Sequence, residues 1–283
     1  MAISTVATVT STLINDIIAD ALFVLREVTL MPNLVTNYTG DGMAVRRVPI
    51  FGQASATEVA EGVDFSSPTT LSKTQAASFT PKTEMVQYIL TDERVATDPD
   101  NARAAAAMEM GGALGESVDT DLTALFSGFS TDKGDGAGTT ASIANAAAGI
   151  AVLRHNKVRG NISAVMHNYH WHDLWTELGQ PIVDFQFLGE RANEALRDYY
   201  VSSWLGIAWF TTSNITIDAS DDAVSGIFGR QALALDTRRA PTVEVERDAS
   251  LRADEINMHM WYAVGELRDN HGIAFTADAT EPA

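Results

Sequence analysis

Three histidines fall within six residues in "HNYHWHDLW", at His167, His170 and His172, out of six in the whole chain. With Asp173 beside them they offer the imidazole and carboxylate groups that bind zinc or move protons. The spacing argues against a chelate. Asn168 can cap a helix whose apolar face is Trp171, Leu174, Trp175 and Leu178, at i, i+3, i+4 and i+7, with Gly179 and Pro181 ending it. On that helix His170 and His172 stand two positions apart and share no face, whereas paired helical ligands sit at i and i+4. His167 precedes the cap. The pattern reads as a capped helix with its polar residues facing outward, holding no metal and no cofactor. The rival reading is a metal-dependent enzyme that uses the His167 to His172 cluster with Asp173.

No other arrangement supplies catalysis. Gly-x-Ser-x-Gly is absent, no serine has a histidine at an informative spacing, and the carboxylates are plentiful but scattered. The run "GFSTDKGDGAGTT" lacks the Gly-Lys-Ser/Thr of a phosphate loop and is expected to be a mobile turn. There is no cysteine, which excludes disulfides and thiolate metal sites. No catalytic residue is assigned.

The chain has 283 residues, 46% hydrophobic and 20% charged, enough for one large globular domain or two modest ones. Its 37 acidic and 19 basic residues give a net charge of -18. That balance disfavours sequence-specific DNA binding, which depends on Lys and Arg displacing counterions. The first residues lack a basic start, and Asn15, Asp16, Asp20 and Arg26 interrupt their apolar runs. They suit neither a signal peptide nor a membrane span, so a soluble protein made in a cytoplasm is expected.

Near the start of the chain, Leu13, Ile14, Ile17, Ile18, Ala21 and Leu25 have the spacing of an amphipathic helical arm, ended by Pro32 and Asn33. From Gly40 to Lys82 short strand-like pieces mix with small polar residues and few large side chains, too little to support a core. Loops of that length are usually functional or ordered by a partner, which points to another subunit. Within it Arg46 and Arg47 precede Glu58, Glu61 and Asp64, a set suited to ion pairs between subunits. "TEMVQYIL" places Val86, Tyr88 and Leu90 on one face of a strand, with Met85 and Ile89 suggesting that the second face is also partly covered.

Asp98 as N-cap and Pro99 at the first helical position begin a helix that runs to about Ser127, with Leu114, Val118, Leu122 and Leu125 at helical spacing. It would be roughly 40 Å long at about 1.5 Å per residue. Gly111 and Gly112 in its middle predict a bend or a close backbone approach. "ASIANAAAGIAVLRHN" is a second helix and "NISAVMH" a buried strand. "YYVSSWLGIAWFTTSNITI" gives a helix end and an edge-like strand, and "AVSGIFGRQALALDTRRAPTVEVERD" two or three short strands. "INMHMWYAVGELRDNHGIAFTAD" closes the chain with a strand or two around a turn at Asp269 to Gly272.

The order of these parts resembles the major capsid proteins of tailed double-stranded DNA bacteriophages, the Hong Kong 97-like fold, over nearly the whole chain. The resemblance lies in the series and in no single motif: the arm, the loop ending in "LSKTQAASFTPKTEMVQYILTDE", the helix ending "SVDTDLTALFSGF", then "ISAVMHNYHWHDLWTELG", "GIFGRQALALD" and "VEVERDASLRADEINMHMWYAVGELRDNHGIAF". It implies an α+β fold with an N-terminal arm (1–39), an extended loop (40–82), a peripheral domain with a long spine helix (83–178 and 242–283) and an axial domain (179–241).

The resemblance further implies self-assembly as hexamers and pentamers into the icosahedral shell of a virion, made in the host bacterial cytoplasm. Its partners would be a portal protein, a separate scaffolding protein unless a leading extension has already been removed, and in some cases a decoration protein. Such a shell encloses double-stranded DNA without reading its sequence and involves no membrane. An encapsulin-like bacterial compartment shell shares the fold and is the nearest alternative. Some members weld subunits through a loop lysine, a neighbouring asparagine and an assisting glutamate; Lys73 in "LSKTQ" lies where such a lysine could, and Asn257 and Glu266 fall in the segment that would supply the others. An ordinary surface lysine is the other reading of Lys73.

Overall fold

The alternation in KTEMVQYILT produces β4 (Lys82–Thr91), which turns Val86, Tyr88 and Leu90 toward the body. Its second face is open: Met85 is 59% exposed and Ile89 49% exposed, where partial cover was expected. The computed structural model describes residues 29–51, 56–65, 73–97, 101–179 and 205–282. The amphipathic stretch of the arm, loop residues 52–55 and 66–72, the expected cap at Asp98 and Pro99, and residues 180–204 of the expected axial segment lie outside the described residues.

β4 is one edge of a four-stranded sheet ordered β1-β8-β9-β4, built with β1 (Thr36–Thr39), β8 (Leu233–Asp248) and β9 (Ala253–Glu266). β8 and β9 are antiparallel, and β1 joins β8 in parallel. At 16 residues β8 is far longer than the short strands expected there, because its bulges near Arg239 absorb the ladder interruption at Pro241. A second sheet is ordered β10-β7-β5-β6, from β5 (Ile162–His167), β6 (Ala208–Thr212), β7 (Asp222–Gly229) and β10 (Gly272–Asp278). β2 (Arg46–Phe51) and β3 (Lys73–Phe79) form a separate antiparallel hairpin, irregular between Val48 and Pro49.

Among the described residues four helices connect these strands: α1 (Asp92–Thr97), α2 (Asn101–Ala124), α3 (Ile143–His155) and α4 (Asn168–Gly179). In α2 the buried residues Met110, Leu114, Val118 and Leu122 recur every fourth position and lead to Phe126 in the 3₁₀ turn that follows. Four residues turn about 400°, so the stripe advances around the helix by about 40° at each step. One apolar core therefore touches both sheets, joining Met258 and Met260 of β9 to Phe228 of β7. The helix is continuous through Gly111 and Gly112.

Both sheets draw on distant parts of the chain. β8 runs unbroken across residue 241, and β5, β7 and β10, one from each segment expected to divide between peripheral and axial domains, share one sheet.

The glycine-rich run expected to be a mobile turn is tied down. Lys133 N donates to the Ala274 carbonyl and Gly136 N to that of Thr276. The Asp135 carboxylate accepts from Ser142 N, Ser142 Oγ and Asn145 Nδ2, all at 2.7 Å. Ser130 bonds Asp269 through both its amide and its hydroxyl. Glycine suits this run because a Cβ at Gly134 would stand 2.0 Å from the Thr276 carbonyl oxygen.

Candidate assembly surface

The histidines serve the fold. His170 is fully buried, in contrast to the outward-facing position expected, with Nδ1 2.8 Å from Ser225 Oγ and Nε2 3.0 Å from the Ala277 carbonyl. It pins α4 to β7 and β10. The signal was available, since His170 precedes buried Leu174 by four residues and shares its face. Burial pushes the His170 imidazole down to about 4. His167 is also buried and held below the usual imidazole range by burial, and its Nδ1 accepts from the Tyr169 amide at the helix start. His172 is exposed, 3.6 Å from Asp173. Among the described residues no group of three or more histidine and carboxylate side chains is arranged to hold a metal ion.

The conspicuous surface is the extended loop. Met43, Val45, Phe51, Val59, Val63 and Phe65 are all exposed, between 44% and 61%. Sequence inspection missed them because they are scattered singly through a polar run. Glu58, Glu61 and Asp64 are exposed in the same stretch, and Arg47 is exposed on β2; none of these four forms an ion pair among the described residues. Two strands make a hairpin with little core of its own, and its apolar anchorage lies at its root, where Ala77, Phe79 and Val48 pack with Ala234, Ala263 and Leu267.

Arg46 behaves differently from its neighbour. Its Nε lies 3.0 Å from Asp236 Oδ2, its Nη2 donates to the Thr39 carbonyl at 2.7 Å, and its guanidinium sits 5.2 Å from the centre of the Tyr38 ring. Arg46 therefore ties the root of the hairpin to β8 within one chain. Its register partner Phe79 is fully buried, 6.3 Å from Tyr38 between ring centres. Close approach of Phe79 requires Gly265, where a Cβ would stand 2.7 Å from the ring.

The outer face of the first sheet carries Met85 and Ile89 on β4 and half-buried Asn257 and Trp261 on β9, with Arg239 5.1 Å over the Trp261 ring. Asn257 Oδ1 is buried without a hydrogen-bond partner among the described residues. Glu266 stands nine residues further along β9, which is about 30 Å at about 3.3 Å per residue. Burial, reinforced by Asp269, raises its carboxyl above the usual range. Lys73 opens β3 opposite Phe51. One chain does not bring Asn257 and Glu266 to a common bond.

Comparison with known proteins agrees with this architecture. A family model described as "Phage capsid protein" matches residues 87–273. No curated protein matches the chain in sequence. The capsid structure of the cyanophage P-SCSP1u is similar at TM-score 0.68 and 15% identity, covering 89% of this chain and 89% of that one. A structure from Mycobacterium phage Che8 is similar at TM-score 0.68 and 15% identity, over 87% and 90%. A virus-like particle from Pyrococcus furiosus is similar at TM-score 0.58 and 9% identity, over 91% and 96%.

Proposed function

Because this chain belongs to the phage capsid protein family, as a major capsid protein with the Hong Kong 97-like fold, we propose that it closes an icosahedral shell around double-stranded DNA as hexamers and pentamers of itself. The observation that carries this is the extended loop, whose apolar side chains, and whose charges without an ion pair among the described residues, are exposed in the single chain and suit burial against a second copy. Covering these side chains with a second copy would remove apolar area from water, which favours association.

In this reading the hairpin β2–β3 is an intersubunit strap. The first sheet and α2 make up the peripheral body, and the second sheet with α3 and α4 makes up the axial one. Arg47 pairs across a subunit boundary with the acidic group Glu58, Glu61 and Asp64, while Arg46 acts within its own chain. An isopeptide weld through Lys73 would draw Asn257 and Glu266 from different subunits. The net charge of -18 suits a wall that faces packed DNA without adhering to it. The reading further expects synthesis in the bacterial host, a portal and a separate scaffolding protein, with a decoration protein in some cases.

The test is replacement of the strap's apolar residues. The double variant Phe51→Ser, Val63→Ser keeps the melting temperature of the parent and forms no closed particles under electron microscopy. Particles of normal size and yield from that variant would remove these side chains from assembly.

A further inference from the structure

A shell built from identical subunits needs straps that hold one exit angle yet can take another, so the chemistry at the root of the hairpin is decisive. Asp236 is fully buried in β8, and its Oδ2 receives two arginines, Arg46 Nε at 3.0 Å and Arg238 Nε at 2.8 Å. Its Oδ1 has no hydrogen-bond partner among the described residues. Arg238 lies two residues along the same strand with a nearly buried side chain, and its Nη1 reaches the Asp41 carbonyl at 3.2 Å. Gly40 admits both guanidiniums, because a Cβ there would stand 2.7 Å from Arg46 Nη2 and 3.2 Å from Arg238 Nη1.

The two arginines are not equivalent. Arg238 belongs to the body and stays with the carboxylate whatever the hairpin does. Arg46 belongs to the hairpin and reaches Asp236 from 190 residues away through one nitrogen, on an oxygen already bonded to Arg238. Arginine and carboxylate bind most firmly in a two-point fork, which this contact lacks. Removing Arg46 leaves Asp236 compensated by Arg238, so the bond can open without stranding a bare buried charge.

We infer that Arg46, Asp236 and Arg238 form a releasable latch, which sets the resting exit angle of the strap and opens at Arg46 without unfolding the body. The opposite foot of the hairpin stays seated through Phe79, whose burial under Gly265 makes that side the pivot. The importance of the latch for shells rests on the strap reading above; the latch itself does not.

Amide hydrogen exchange on the unassembled full chain tests it, with Arg46→Met compared with Arg47→Met. In R46M, exchange across Val48 to Phe51 and Lys73 to Gln75 rises about tenfold while Phe79, β8 and β9 change by less than about twofold, as local opening requires. R47M leaves both regions unchanged. Unchanged exchange of the hairpin in R46M overturns the latch. A rise spread evenly over hairpin and body, or an R46M chain that does not fold, overturns it equally, because the bond would then sustain the fold. Normal latch behaviour with no particle formation by the parent chain would instead count against the strap reading alone.

Discussion

Phe126 lies directly over Gly226, so close that a Cβ on the glycine would stand 2.6 Å from the ring. Phe126 ends the buried stripe of α2 and Gly226 lies in β7, with Phe228 5.4 Å away between ring centres. This contact joins the spine helix to the second sheet. Gly226→Ala overpacks it and lowers stability by about 1–3 kcal/mol, read as a lower melting temperature. Adding Phe126→Leu makes room for the methyl group, and the double variant is less destabilised than the sum of the single ones. Additive losses would show that the two residues do not share this contact.

His170 makes the fold acid-sensitive. Its neutral ring is favoured by burial, next to His167, Asp222 and Asp278, and its pKa falls from 6.5 to about 4. The unfolded chain takes up this proton first, so the stabilisation is complete above about 6.5 and is lost progressively as pH falls toward 4. The loss is about 3 kcal/mol by the usual conversion. Melting temperature followed against pH should show this slope in the parent and a flatter one in His170→Asn, which is also less stable at neutral pH. An equal acid slope in both proteins would place the sensitivity elsewhere.

The two loop arginines separate by experiment. Arg47→Glu keeps the parental melting temperature, because Arg47 has no ion pair among the described residues, and it prevents closed shells. Arg46→Glu brings a second carboxylate against buried Asp236 and lowers the melting temperature as well. Light scattering and thermal melts on both variants distinguish the roles; normal particles from R47E would remove Arg47 from assembly.

Tyr262 links the first sheet to α2. Its hydroxyl donates to Asp121 Oδ2 at 2.5 Å and lies 3.2 Å from Ser117 Oγ, and Lys82 bridges Asp121 and Glu84 at 2.6 and 2.7 Å. Burial pushes the phenol up to about 12. Tyr262→Phe costs about 1.5–3 kcal/mol in denaturant unfolding, the usual loss for a hydrogen bond to a charged group. A neutral result would mean that the hydroxyl is equally well solvated in the unfolded chain.

What could be read from the sequence was what local periodicity determines. The alternation of β4, the spacing of α2 and the apolar face of α4 are short-range patterns, and they gave these elements; Asn168, expected as the cap of α4, is its first helical residue, and His167 Nδ1 accepts from the Tyr169 amide there. The order of segments led to the phage capsid family, which the family match bears out. Long-range choices were hidden. Asp236 in "ALALDTRRA" looks like any surface aspartate until β1 and the hairpin root close over it, and its partner Arg46 is 190 residues away. The same limit made Arg46 and Arg47 look alike, though one is anchored and the other exposed. The glycine-rich turn looked loose because its restraints come from β10 and Asp269.

Self-assembly is the central claim, and negative-stain electron microscopy of the purified chain, with light scattering on the same sample, tests it most directly. Closed polyhedral shells, or rings of five and six subunits, are the predicted result. A monodisperse monomer or dimer that persists at high protein concentration and under crowding by polyethylene glycol would contradict it.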